Sequence, residues 1–169
     1  MEPFSGCKGC WIHVGFHADY HRNQKKIFTQ IEILKKAYPV SKIVLSGHSL
    51  GAALASVNAI YLAVNGETLP IEVYNIGSPR FANANLAQFV KQKVPGHFRI
   101  DHHKDLIPHL PPQVEYHHVA NEIFFNADMS SYKVCDDTGE DHSCSNQYFP
   151  DYNPGDHNFY FVELAKVKC

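Results

Sequence analysis

Ile43-Val44-Leu45-Ser46-Gly47-His48-Ser49-Leu50-Gly51-Ala52-Ala53-Leu54-Ala55 decides the fold. Ile43, Val44 and Leu45 form a compact apolar run of the kind that a parallel sheet buries on both faces. The segment Leu50–Val64 is apolar nearly all round, which predicts a buried helix ending near Asn65-Gly66. Between them, Gly47-His48-Ser49-Leu50-Gly51 turns a strand directly into a helix. That setting identifies a nucleophile elbow more strongly than the G-x-S-x-G letters, which also arise by chance in Gly/Ser loops.

Such a turn holds its serine in strained backbone geometry, and the flanking glycines let strand and helix approach without a Cβ clash. The Ser49 hydroxyl is expected at the carboxyl end of the sheet with a helix N-terminus behind it. There the helix dipole and the N–H of Leu50 can stabilise an oxyanion. A serine hydroxyl is a poor nucleophile alone, so the reading requires a histidine base and a carboxylate to orient it, in the chain order Ser, Asp or Glu, His.

Outward from the elbow, strands and helices alternate. Trp11, Ile12 and Val14 read as a short strand, and Ile27, Ile31, Leu34 and Tyr38 as the stripe of an amphipathic helix that Pro39 terminates. Residues 71–76 predict a strand, 86–94 a helix and 98–100 a further strand. The pattern is that of an α/β fold with a mostly parallel sheet. After Asp105 prolines 108, 111 and 112 interrupt the pattern; residues 116–119 and 123–125 are expected to pair as a hairpin, and a loop-rich region runs to Pro154.

At 169 residues and 44% hydrophobic, the chain fits one domain with a real core. The formal charge of -2 gathers into no run that would suggest a nucleic-acid partner. The longest apolar segment, Leu50–Val64, is too short and too interrupted to span a membrane. Residues 1–6 lack the regions of a signal peptide, yet five cysteines suit structural disulfides in an oxidising compartment better than a metal or redox site. The two observations agree if the chain is the C-terminal part of a longer secreted protein, which is the expectation.

Composition alone does not choose the remaining catalytic groups. Asp101, Asp105 and Glu115 are the carboxylates considered after Ser49, and His109, His117, His118, His142 and His157 follow them. Asp105 stands after a strand at the carboxyl edge, and His157 lies in a loop before the apolar 159–164 segment, which favours these two.

Several motifs in order resemble the class 3 lipases, the fungal lipase-like group of α/β-hydrolases, over nearly the full length. They are Cys7 to Cys10 before His13-Val14-Gly15-Phe16, the Gly47 to Ala55 run, Gly77-Ser78-Pro79-Arg80, the stretch from Lys104 to Pro112, and Asp156-His157 before an aromatic segment. The resemblance implies an α/β-hydrolase domain over residues 1–169 that lacks the family's N-terminal strands, lid and first oxyanion loop. It implies a Ser49, Asp105, His157 triad with Leu50 in the oxyanion hole, and disulfides Cys7–Cys10 and Cys135–Cys144. Cys169 would pair with a cysteine near the family's N-terminus. Ala82 stands where the family usually has glycine.

The resulting expectation is carboxylic ester hydrolysis, triacylglycerol hydrolysis foremost, without metal or cofactor, on an ester or lipid substrate at a lipid–water interface. The alternative is a catalytically impaired hydrolase fold acting as a lipid-surface binding module. His48 is read as structural, pointing away from the serine oxygen. His109 is read as a packing residue, His102 and His103 as surface, Arg80 as an ion-pair partner at the core edge, and Asp136, Asp137, Glu140 and Asp141 as a solvated loop without the spacing of a calcium site.

Overall fold

A computed structural model of the chain describes residues 1–163. Cys169, and with it the pairing expected of its thiol, lies outside the described residues. The chain opens with two short antiparallel strands, β1 (Glu2–Pro3) and β2 (Trp11–Ile12), closed by the Cys7–Cys10 disulfide. Helix α1 (Val14–Ala37) follows at once, capped by His13, whose Nδ1 accepts from the N–H of Gly15 and Phe16. Val14 therefore belongs to a helix and not to the expected strand, and the helix starts well before the Ile27 stripe. That stripe is not its buried face: Leu34 and Tyr38 are exposed, whereas His17 and Tyr20 are buried against α2. The contacts that hold α1 are aromatic and polar, and a search for aliphatic spacing passes over them.

The centre is a five-stranded sheet in the order β3 (Ile43–His48), β4 (Ile71–Ile76), β5 (Gly96–His102), β6 (Glu122–Phe125), β7 (Tyr132–Val134). The first four run parallel, and β7 turns back antiparallel on β6. Helices α2 (Leu50–Val64) and α3 (Ala84–Lys93) connect the parallel strands. The hairpin expected between residues 116–119 and 123–125 is absent: His117 makes only an isolated bridge to Ala82, and β6 pairs with β5 and β7. Periodicity cannot tell a parallel partner from an adjacent one. Strands β8 (Phe159–Tyr160) and β9 (Val162–Glu163) form a final small ribbon, and Cys135–Cys144 closes the loop after β7.

Helix α2 is the spine of the core. Ala53, Val57 and Ile60 pack with Ile12, Tyr20, Leu86 and Val90, while Ala55 and Ala59 meet Val73. Each large apolar side chain so buried contributes roughly 1.5–3 kcal/mol. Strand β3 departs from the expectation of burial on both faces. It ends the sheet, only its Leu45 side packs on α2, and Val44 is 50% exposed.

Candidate active site

The elbow forms where the sequence predicts it. Ser49 stands between β3 and α2 with φ 58° and ψ -128°, a backbone conformation that costs a non-glycine residue on the order of 1–3 kcal/mol. It is pinned there because its N–H donates to the carbonyl of Ile76 at 3.0 Å. A Cβ on Gly47 would sit 2.3 Å from the backbone carbonyl of Gly51, so that glycine is a condition of the turn. Gly51 has open space around it, and the close approach expected of both glycines belongs to Gly47 alone. Leu50 opens α2, and its N–H is among the donors that a first helical turn leaves without an intrahelical acceptor.

The expected acid and base meet. His157 Nδ1 lies 2.8 Å from Oδ2 and 3.0 Å from Oδ1 of Asp105, whose side chain is 1% exposed. Two further donors fix this carboxylate: the Ile107 N–H reaches Oδ1 at 2.8 Å, and the hydroxyl of buried Tyr160 reaches Oδ2 at 2.6 Å. Burial, then the negative charge of Asp105, pushes the Tyr160 phenol well above its ordinary range, so it keeps the proton that it donates. The pair closes over Gly77, which has φ +53°. A Cβ there would lie 2.8 Å from Asp105 Oδ2, 2.9 Å from the Tyr160 hydroxyl and 3.1 Å from His157 Nδ1.

The loop that carries His157 is tied to the segment before Asp105. Asp156 Oδ2 accepts from the Lys104 N–H at 3.1 Å and lies 2.8 Å from His103 Nδ1. His102, expected at the surface, is buried between the carbonyls of Asp156 and Ala127, each 3.0 Å from a ring nitrogen. The His102-His103 pair, three and two residues before Asp105, is the sequence signal for this tether. Its histidines face loops that are distant in sequence, so spacing alone does not reveal it.

His48 packs against His157. Its ring stacks on His157 with centroids 4.3 Å apart, and its Nε2–H donates to the His157 carbonyl at 2.9 Å. Burial, then the neighbouring His157, lowers its pKa. Among the described residues Ser49 and His157 form no direct hydrogen bond; such bonds are commonly long before substrate arrives.

The other candidates are engaged elsewhere. Asp101 Oδ2 lies 3.1 Å from Arg99 Nη1, deep in the core, and Arg99 also donates to Glu122 at 2.8 Å. His118 Nε2 donates to the Pro108 carbonyl, and His117 Nδ1 faces the His118 carbonyl. His109 is buried and stacked on Tyr152 as a packing residue, with burial and then Arg80 lowering its pKa to about 4. With His142 it borders a cavity of about 650 Å³ walled by Leu106, Leu110, Phe149 and Tyr152. Glu115 is exposed. Glu140 does not share the solvation expected of its loop: its two oxygens take the Nε and Nη2 protons of Arg80 at 2.8 and 2.7 Å, and both side chains are buried. That is the ion pair expected of Arg80.

The family model for lipase (class 3) matches residues 1–115. The chain is 37% identical over 136 residues to the secreted mono- and diacylglycerol lipase 1 of Fusarium solani, an alignment covering 76% of this chain and 40% of that protein. It is 29% identical over 173 residues to a lipase of Rhizopus oryzae, covering 100% of this chain and 44% of the relative. Lipase II of Rhizopus niveus superposes with a TM-score of 0.90 at 29% identity, over 95% of this chain and 62% of that one. The triacylglyceride lipase of Rhizomucor miehei superposes with a TM-score of 0.86 at 29% identity, over 96% and 63%. The chain spans less than half the length of the curated relatives it matches. With the elbow, the parallel sheet and the ordered motifs, the match leaves one assignment: the chain has the α/β-hydrolase fold and belongs to the class 3 lipase family.

Proposed function

We propose that the chain carries the hydrolytic machinery of a secreted lipase, cleaving carboxylic esters through an acyl-enzyme on Ser49. The observation that carries the reading is a strained serine elbow beside a His157–Asp105 pair whose carboxylate is buried: His48, next to Ser49 on the end of β3, stacks on His157, and Asp105 follows β5. His157 takes the Ser49 proton as the oxygen attacks the ester carbonyl. Asp105, fixed by the Ile107 N–H and the Tyr160 hydroxyl, holds the imidazole in the Nδ1–H tautomer and stabilises its cation. The Leu50 N–H stabilises the tetrahedral oxyanion. The intermediate collapses to acyl-Ser49 as His157 gives its proton to the leaving alcohol. Water then attacks the acyl carbon as it loses a proton to His157, and the second tetrahedral intermediate collapses as His157 returns that proton to Ser49 Oγ, releasing the carboxylic acid.

Acylglycerols are the proposed substrates, at a lipid–water interface. The names of the Fusarium and Rhizomucor relatives support that choice, as does exposed Leu50 beside the nucleophile. A further structural neighbour is described as a triacylglycerol lipase whose catalytic centre is a serine protease triad. The test is hydrolysis of p-nitrophenyl esters of increasing chain length by the chain and by Ser49→Ala. We expect Ser49→Ala to lose on the order of 10⁴-fold or more in kcat. A folded chain without hydrolysis that binds lipid vesicles would replace this reading with a lipid-surface binding module.

A further inference from the structure

A strand-to-helix elbow needs serine at its apex, here Ser49, and in this chain glycine at 47; the motif leaves the position between them open. Yet the side chain there, His48, makes both of its close contacts with one partner. Its ring lies against the His157 ring, 4.3 Å between centroids and inclined by 30°. Its Nε2–H donates to the carbonyl of the same residue, and its other neighbour, Tyr160 at 5.7 Å edge-on, is the residue that donates to Asp105.

We propose that His48 is a positioning residue for the base: it sets the plane and depth of the His157 imidazole above Ser49. The proposal rests on the reading of Ser49, His157 and Asp105 as a hydrolytic triad, and adds a residue to it. Asp105 grips the imidazole at Nδ1 alone, so the ring can still swing about that edge. Displacing its far nitrogen by about 1 Å is enough to cost on the order of a hundredfold in rate. A flat neighbour stacked on the ring removes the swing, and a hydrogen bond to the backbone carbonyl removes the drift of the loop. Because His48 directly precedes Ser49 on the end of β3, in register with Ile76, base and nucleophile are referred to one short piece of backbone.

Charge fits the assignment. The carbonyl of His157 can only accept, so Nε2 carries the His48 proton in the neutral ring. His48 is half-buried with a lowered pKa, so at neutral pH it presents a π-face and no second cation when His157 becomes an imidazolium.

The experiment compares the chain with His48→Phe, which keeps a ring and loses the N–H, and His48→Ala, which loses both. Steady-state hydrolysis of p-nitrophenyl butyrate is paired with ¹H–¹⁵N spectra of the His157 side chain. We expect kcat to fall about tenfold in His48→Phe and about a hundredfold in His48→Ala, with KM changed less than about twofold. The Nδ1–H resonance of His157 should be sharp in the parent and broadened in His48→Ala. Should His48→Ala fail to fold, His48→Phe carries the comparison. Hydrolysis that survives Ser49→Ala would overturn the triad reading itself. Hydrolysis that requires Ser49, with an unchanged kcat and an unchanged His157 resonance in both His48 variants, would overturn the role of His48 alone. Should the parent not hydrolyse the ester, the resonance decides: a signal indifferent to both variants rejects the proposal.

Discussion

The two halves of the site are held by different physics. Residues 43–102 form alternating strands and helices held mainly by apolar contacts, with Ala53, Val57 and Ile60 against Leu86 and Val90, and Ser49, the proposed nucleophile, is held in strained backbone geometry. Residues 106–163 contain short strands and turns, and polar contacts hold them: Arg80 with Glu140, Arg99 with Glu122, Asp156 with Lys104, and one disulfide. Ser49 thus sits on a frame held by apolar packing, whereas His157 sits on one in which losing a partner of Arg80–Glu140 or Arg99–Glu122 leaves a buried charge. Misplacing His157, the proposed base, should therefore be the easier failure.

The largest effect expected from this contrast lies at Arg80. Burial alone pushes the Glu140 carboxyl up, but the hydrogen bonds and charge of Arg80 overcome it and hold the acid well below its usual range. Arg80→Met strands that carboxylate, and we expect a loss of about 3–5 kcal/mol in denaturant unfolding. Arg80→Met with Glu140→Leu should recover most of it, because an apolar pair of similar volume is often as stable as a buried ion pair. A single variant as stable as the parent would mean that the polar region is held by something other than its charges.

Next in size is an exception within the apolar half. The Asn75 amide donates to Ser56 Oγ at 2.6 Å, leaving the serine proton for His97 Nε2 at 2.8 Å. His97 is wholly buried; desolvation, then Arg99, lowers its pKa to about 3. Between its ordinary value of 6.5 and that figure, the unfolded chain binds a proton that the folded chain refuses. The stability conferred by neutral His97 is therefore full above about pH 6.5 and is lost as pH falls towards 3. At pH 5 the loss relative to neutral pH is about 2 kcal/mol. Buried His109 and His118, both with lowered pKa values, add to the same slope. His97→Gln should cut this acid sensitivity by one group's share in melts at pH 7 and pH 5; an unchanged slope would assign it to the other two.

The contrast also explains what the sequence discloses. Val57 and Ile60 recur at the spacing of a helix wherever they are read, so α2 and β4 match their predicted bounds to the residue. The elbow is a local motif and is equally plain. His102 beside Asp156, or Tyr160 beside Asp105, joins positions more than fifty residues apart through single polar contacts that carry no period. For Asp105 and His157, position in the chain narrowed the field and the ordered family motifs chose. Glu140 looked like its solvated neighbours because nothing in Asp-Asp-Thr-Gly-Glu-Asp marks the one carboxylate that turns inward to Arg80.

The smallest effect concerns the point where the two halves join. Asp105 closes the strand side and receives His157 from the loop side, and Tyr160, 3% exposed, reaches it from β8. Tyr160→Phe deletes one hydroxyl from a site that still contains the Ile107 N–H and the close wall of Gly77. A hydrogen bond to a charged group contributes about 1.5–3 kcal/mol. With two other constraints left in place, we expect the lower end of that range in catalysis, a fall of about tenfold in kcat. The melting temperature should change little, because the ring that fills the core remains. If the join is rigid without the hydroxyl, kcat and the melting temperature will both stay at the parent values. Tyr160 would then be a packing residue, and the carboxylate would owe its orientation to backbone contacts on the strand side.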